Sequence, residues 1–133
     1  MHDIYILIEH RQSEIRDISF ELLACGRKLA EEHSSTVTAV ILGYDTENIV
    51  KKIESQAHKV LVVDKEVFKE FNSETYQIAL ADLIQKDNPF LFLIGHTAFG
   101  MDICPALATQ LNIPFTTDCL DVVISEKELR VVR

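Results

Sequence analysis

Ile4-Tyr5-Ile6-Leu7-Ile8, five apolar residues in unbroken succession followed at once by Glu9-His10-Arg11, decides the fold class of this chain. A half-buried strand alternates apolar and polar residues. A run that is apolar at every position suits a strand covered on both faces, as in a parallel sheet. Three more such runs follow. Val37–Leu42 (VTAVIL) stops at Gly43, Lys59–Val63 (KVLVV) stops at Asp64, and Phe90–Ile94 (FLFLI) is opened by Pro89 and closed by Gly95.

Helical periodicity fills the gaps. Ser13 is placed to cap a helix whose apolar stripe runs Ile15, Ile18, Leu22, Cys25 and Leu29. A shorter pattern covers Thr46–Ile53 with Ile49, Val50 and Ile53 inward. Ser73 opens a third, with Tyr76, Ala79, Leu80, Leu83 and Ile84 on one side, ending before Asn88-Pro89. The last runs from about Met101 to Leu111, and tolerates Pro105 only if that residue falls in the first turn. Strands alternating with helices predict an α/β fold: a three-layer, doubly wound, mainly parallel sheet with right-handed crossovers. The expected strand order is 3-2-1-4-5, with the topological switch between strands 1 and 4. After Pro114 the character changes. Cys119–Ile124 and Leu129–Val132 around Ser125–Lys127 read as a C-terminal β-hairpin, and the stop at Arg133 in mid-strand reads as a chain cut short.

Composition bounds the function. The chain has 133 residues, 47% of them hydrophobic, enough for one domain with one core. A net charge of −8 opposes nucleic-acid binding and docking to an anionic membrane. No apolar run approaches the roughly 18 residues of a membrane span, and Met1-His2-Asp3 does not open a signal peptide. Cys25, Cys104 and Cys119, odd in number and without a CxxC pair, read as reduced thiols of the cytosol, or of the mitochondrial matrix if the source is eukaryotic.

Ligands of open parallel sheets bind beyond the carboxyl ends of strands at the switch point. Here that crevice is lined by Glu9 and His10 after strand 1 and by Gly95, His96, Thr97, Gly100 and Asp102 after strand 4; Asp118 is a further candidate. The Gly95–Asp102 loop resembles one that offers backbone N–H groups to a phosphate, but it lacks the P-loop ending and the three-glycine fingerprint. The plainer use is that Gly95 ends a strand and Gly100 permits a tight turn. With Glu9 and Asp102 near the pocket and Arg11 its single neighbouring cation, the crevice is expected to repel phosphate. Asp102 also suits an N-cap or first-turn position. His96 has no adjacent nucleophile, and the five histidines show no metal-ligand spacing. His33 and His58 read as solvated. No catalytic constellation and no metal site is expected.

Three segments together resemble the alpha subunit of electron-transfer flavoproteins. They are Ile4–Ile8 with Glu9-His10 and the helix containing Glu21–Ala30, then Ala57–Asp64, then Gly95–Ala108 with Pro114 and Thr117-Asp118. Gln56 stands where the family usually has Gly, and Ala106 follows Pro105 where it commonly has Arg. The resemblance implies a single N-terminal α/β domain over 1–133 and a flavin domain after residue 133. It also implies an electron carrier rather than an enzyme, serving flavin dehydrogenases such as acyl-CoA dehydrogenases and an acceptor oxidoreductase. FAD would be held in the full-length protein, none in this fragment, with a beta subunit as partner. The alternatives are a stand-alone AMP- or ATP-binding module of the universal-stress-like, adenine-nucleotide-hydrolase-like type, and a small enzyme using His96 with Asp102 or Asp118.

Overall fold

The computed structural model describes residues 3–12, 14–112, 121–125 and 128–132. Strands β1 (Asp3–Leu7), β4 (Thr36–Gly43), β5 (Lys59–Asp64) and β6 (Leu91–Leu93) form one sheet in the order β5-β4-β1-β6, all parallel. This is the expected 3-2-1-4, and the switch falls between β1 and β6. Among the described residues no strand takes the expected fifth position. Strands β7 (Asp121–Ser125) and β8 (Glu128–Val132) instead pair antiparallel in a two-stranded sheet of their own, the predicted hairpin. Cys119 and the Thr116-Thr117-Asp118 segment lie outside the described residues.

Alternate residues of each central strand enter opposite layers. Ile4, Ile6 and Ile8 of the first run, with Val37, Ala39 and Ile41, pack under helix α1 (Asp17–His33) and helix α2 (Glu47–Ile53). Tyr5 and Leu7, with Val40 and Leu42, pack under α3 (Ser73–Asp87) and α4 (Ala98–Leu111). Both faces of β1 and β4 are therefore dry, which is why their sequences are apolar at nearly every interior position, Thr38 excepted. Each such fully buried Ile or Leu contributes about 2 kcal/mol of transfer free energy.

The helices depart from their sequence reading in three places. Helix α1 starts at Asp17 with Arg16 as an N-cap that provides no side-chain bond; Ser13 lies outside the described residues. Ile15 belongs instead to a small antiparallel ladder of β2 (His10–Arg11) and β3 (Glu14–Ile15). The buried stripe of α1 is Ser19, Leu23, Gly26, Leu29 and Ala30, rotated from the expected one because a polar residue and a glycine sit on the core side. Helix α4 begins at Ala98, so Pro105 lies in its interior rather than in the first turn. Its ring sits on the exposed face, where the missing N–H leaves a carbonyl open to water rather than orphaned in the core. Asn72 caps α3, its Oδ1 accepting from the Thr75 N–H at 3.1 Å. Asn88 and Asn112 end α3 and α4 in the left-handed conformation, with φ of 47° and 54°.

Candidate functional site

The carboxyl edge of the sheet collects the candidate residues, and most of their polar atoms are already engaged. Glu9, 8% exposed, lies two residues beyond the end of β1. Its Oε1 accepts from the Thr97 hydroxyl at 2.6 Å. Its backbone N–H donates to Ser19 Oγ at 2.7 Å, and its carbonyl accepts from the Ser19 hydroxyl at 3.0 Å and from the Arg16 N–H at 2.8 Å. Ser19 is thus a buried polar residue of α1 that clamps the helix onto the end of β1. Thr97 is the N-cap of α4, its Oγ1 accepting from the Gly100 N–H at 3.1 Å. One threonine hydroxyl so links the β1 terminus to the start of α4.

Adjacent residues of an extended chain point to opposite sides, and Glu9 and His10 do so. His10 Nε2 lies 2.8 Å from the Leu42 carbonyl at the end of β4. A carbonyl only accepts, so Nε2 carries the hydrogen. The same carbonyl accepts from the Tyr76 hydroxyl at 2.9 Å, and burial pushes the Tyr76 phenol up to about 12. At the end of β5, Asp64 accepts from the Thr46 and Asp45 N–H groups and from the Thr46 hydroxyl. These bonds, the Thr46 N–H first, hold its carboxyl below the usual carboxylate range.

Gly95 and Gly100 are explained by space, not by turn geometry, because neither has a positive φ. A Cβ on Gly100 would fall inside the envelope of the Gly95 carbonyl oxygen, and one on Gly95 would meet Ile18 Cγ1 at 2.9 Å. Both glycines are filled by the protein's own atoms. His96 is exposed at the loop, and Asp102 is exposed in the second turn of α4, neither N-cap nor first-turn acid. His58 is exposed, as expected, and its Nδ1 also accepts from the Val37 N–H at 2.9 Å at the start of β4. Asp118 lies outside the described residues.

Two hollows open on this edge. One, of about 450 Å³, lies over the switch point between Glu9 and Thr97 and is flanked by Arg11, Arg16 and Asp17. The other, of about 420 Å³, is walled by Phe68, Phe71, Tyr76 and Phe99 and flanked by Arg11, Arg16 and Lys69. The expectation of a single cation is therefore corrected. Arg16 and Lys69 join Arg11, because the connections after β3 and β5 both fold over the same edge, while Asp102 lines neither hollow. The aromatic wall was also missed. Its only sequence signal is Phe68-Lys69-Glu70-Phe71, which no helix or strand pattern absorbs. Among the described residues no group of His, Cys, Asp and Glu could hold a metal ion, and no helix is long and apolar enough to cross a membrane.

A three-layer parallel domain with its polar groups gathered at the carboxyl edge of the sheet is of the doubly wound α/β class in architecture. The chain belongs to the electron transfer flavoprotein domain family, whose model matches residues 4–133. It is 34% identical over 133 residues to the electron transfer flavoprotein subunit alpha of Clostridium acetobutylicum, covering 98% of this chain and 40% of that protein. It is 31% identical to the subunit of the same name from Megasphaera elsdenii, covering 97% of this chain and 38% of that protein. The acryloyl-CoA reductase electron transfer subunit beta of Anaerotignum propionicum is 35% identical over 118 residues, 88% of this chain and 32% of that protein. The chain thus spans between 32% and 40% of the length of these curated relatives. Neither crevice glycine presents open backbone to a pyrophosphate: Gly100 is packed against the Gly95 carbonyl and Gly95 against Ile18.

Proposed function

We propose that this chain is the N-terminal scaffold of an electron-carrier subunit, packing against a beta-type subunit and supporting a flavin that is held outside residues 1–133. The reading rests on the family match across residues 4–133 together with relatives named as electron-transfer subunits. Engaged polar groups support it from the side of chemistry. Glu9, Thr97 and Asp64 bind a helix cap and loop backbone, which is the work of a scaffold. The domain then works by holding its neighbours in place, in the cytosol or the mitochondrial matrix, while flavin dehydrogenases such as acyl-CoA dehydrogenases deliver electrons to the complex.

The test is a visible absorption spectrum of the natural gene product that contains these residues, co-purified with the product of its neighbouring gene. Flavin bands on a two-chain complex support the reading. A colourless protein that purifies alone sinks it.

A further inference from the structure

Strand β5 forms one margin of the sheet, and among the described residues no strand pairs with its outer side. Hydrogen-bond direction shows which of its groups face outward. The Ile8 N–H donates to the Val40 carbonyl, so even-numbered residues of β4 turn their backbone to β1 and odd-numbered ones to β5. The Lys65 N–H donates to the Gly43 carbonyl, whose register partner is Asp64. With that alternation Leu61 and Val63 bond β4, and Val60, Val62 and Asp64 direct N–H and C=O away from the sheet. Sheet margins are ordinarily blunted by proline, charge, a bulge or short length. The centre of β5, Val60-Leu61-Val62-Val63, has no proline and no charge, and the strand runs six residues against three for β6 at the opposite margin. Val62 keeps 40% of its surface in water, while Val60, Leu61 and Val63 are half-buried.

We propose that β5 is a docking edge for a second copy of this chain, the two strands pairing antiparallel about a two-fold axis at Leu61 and joining two sheets into one. Directly opposite residues of an antiparallel pair turn their backbone both toward or both away from each other, so the axis falls on a residue and not between two. Centring on Val62 sets Lys59 against the partner's Lys65, a like-charge pair. Centring on Val60 pairs only residues 59–61 of the strand. Centring on Leu61 pairs residues 59–63. Val60 then exchanges backbone bonds with the partner's Val62, and the exposed Val62 side chain is covered by the partner's Val60. Lys59 arrives where the partner carries Asp64, so the charges at the strand ends are complementary. Each chain uses its one β5 in the pair, and association closes at two. The antiparallel arrangement puts the two carboxyl edges at opposite ends of the joined sheet, where each stays open to a partner subunit. The inference goes beyond the scaffold reading and is independent of it.

Sedimentation velocity of the 133-residue chain across about 5–500 µM tests it. A single pair of edge strands is a small interface, so a reversible dimer with Kd of about 10–100 µM is expected. Val62→Lys, at an exposed position whose N–H points outward, keeps the circular dichroism spectrum and weakens association at least about tenfold. Two cysteine variants read the register. Leu61→Cys faces its own copy across the axis in a non-hydrogen-bonded pair, where Cα atoms approach to about 4.5 Å, and forms a linked dimer under mild oxidant. Val63→Cys faces the partner's Lys59 and links at least about tenfold more slowly, with wild type giving the background of the three native cysteines. A monomer at every concentration overturns the proposal. So does a dimer that Val62→Lys leaves intact, or Val63→Cys linking as fast as Leu61→Cys.

Discussion

Gly100→Ala tests whether the crevice glycines exist for the protein's own packing. In an ordinary helix this change stabilises by up to about 1 kcal/mol through backbone entropy. Here the new methyl meets the Gly95 carbonyl oxygen head-on, with Gly95 C and Ile94 Cγ2 each at 3.1 Å. The obstacle is backbone, so no rotamer change relieves it, and α4 must retreat from the end of β6. Overpacking of this kind costs about 1–3 kcal/mol, toward the upper end when backbone has to move. Retreat also stretches the Gly100 N–H bond to Thr97 and the Thr97 bond to Glu9, a cap worth about 1 kcal/mol. The net expectation is a loss of about 3 kcal/mol, roughly a 10 °C fall in Tm for a domain of this size. Thermal and urea unfolding followed by circular dichroism reads it. Ala106→Gly, at an exposed interior position of the same helix, calibrates propensity alone at about 1 kcal/mol of loss. A Gly100→Ala protein as stable as wild type, or more so, refutes the packing argument and returns Gly100 to the role of a loop glycine.

Thr38 is buried on β4 and its hydroxyl has no hydrogen-bond partner among the described residues, so Thr38→Val is expected to stabilise by about 1 kcal/mol, read as a rise in urea midpoint. Tyr76→Phe and His10→Ala each leave the Leu42 carbonyl one donor, so each single change is mild; the double change leaves it bare and costs at least about 1 kcal/mol more than the sum, measured as a double-mutant cycle. Because its folded-state pKa is depressed, Asp64 contributes stability that is present above its ordinary value of 3.8 and lost as pH falls toward the folded value. Wild type should therefore lose urea resistance below about pH 4 more steeply than Asp64→Asn, and parallel acid limbs would show that the amide bonds to Asp64 carry no such coupling.

The layers were legible in the sequence because strands covered on both faces leave an unmistakable trace. Residues Ile4 through Ile8 alternate between two cores, and only a chain apolar at every position can supply both. Helix α2 and the body of α3 were legible for the same reason. What escaped was polar or small. Ser19 sits at the N-terminal end of the α1 core face, and Gly26 leaves no hydrophobic mark, so counting apolar residues rotated the stripe. The ladder at 10–15 is too short for any period to register, and its existence moved the start of α1. The candidate site was legible as a place but not as a set of contacts. Strand order put Glu9 and Thr97 on one edge, whereas the cations of Arg16 and Lys69 arrive from separate connections that no spacing rule relates.

The contacts change what the candidate residues mean. A carboxylate, a threonine and two glycines at the carboxyl end of a parallel sheet look, in sequence, like the parts of a phosphate site. Each is instead accounted for by an internal demand: Glu9 holds the Thr97 hydroxyl, Thr97 caps α4, and the glycines make room for a carbonyl and an isoleucine. The groups left over are of another kind. Arg11, Arg16 and Lys69 are exposed cations with no ion pair among the described residues, and Phe71 is a ring fixed by its neighbours yet open to water. Exposed charge is cheap to keep and says little alone, but a fixed, solvated aromatic face beside it is an unfavourable arrangement unless something covers the ring.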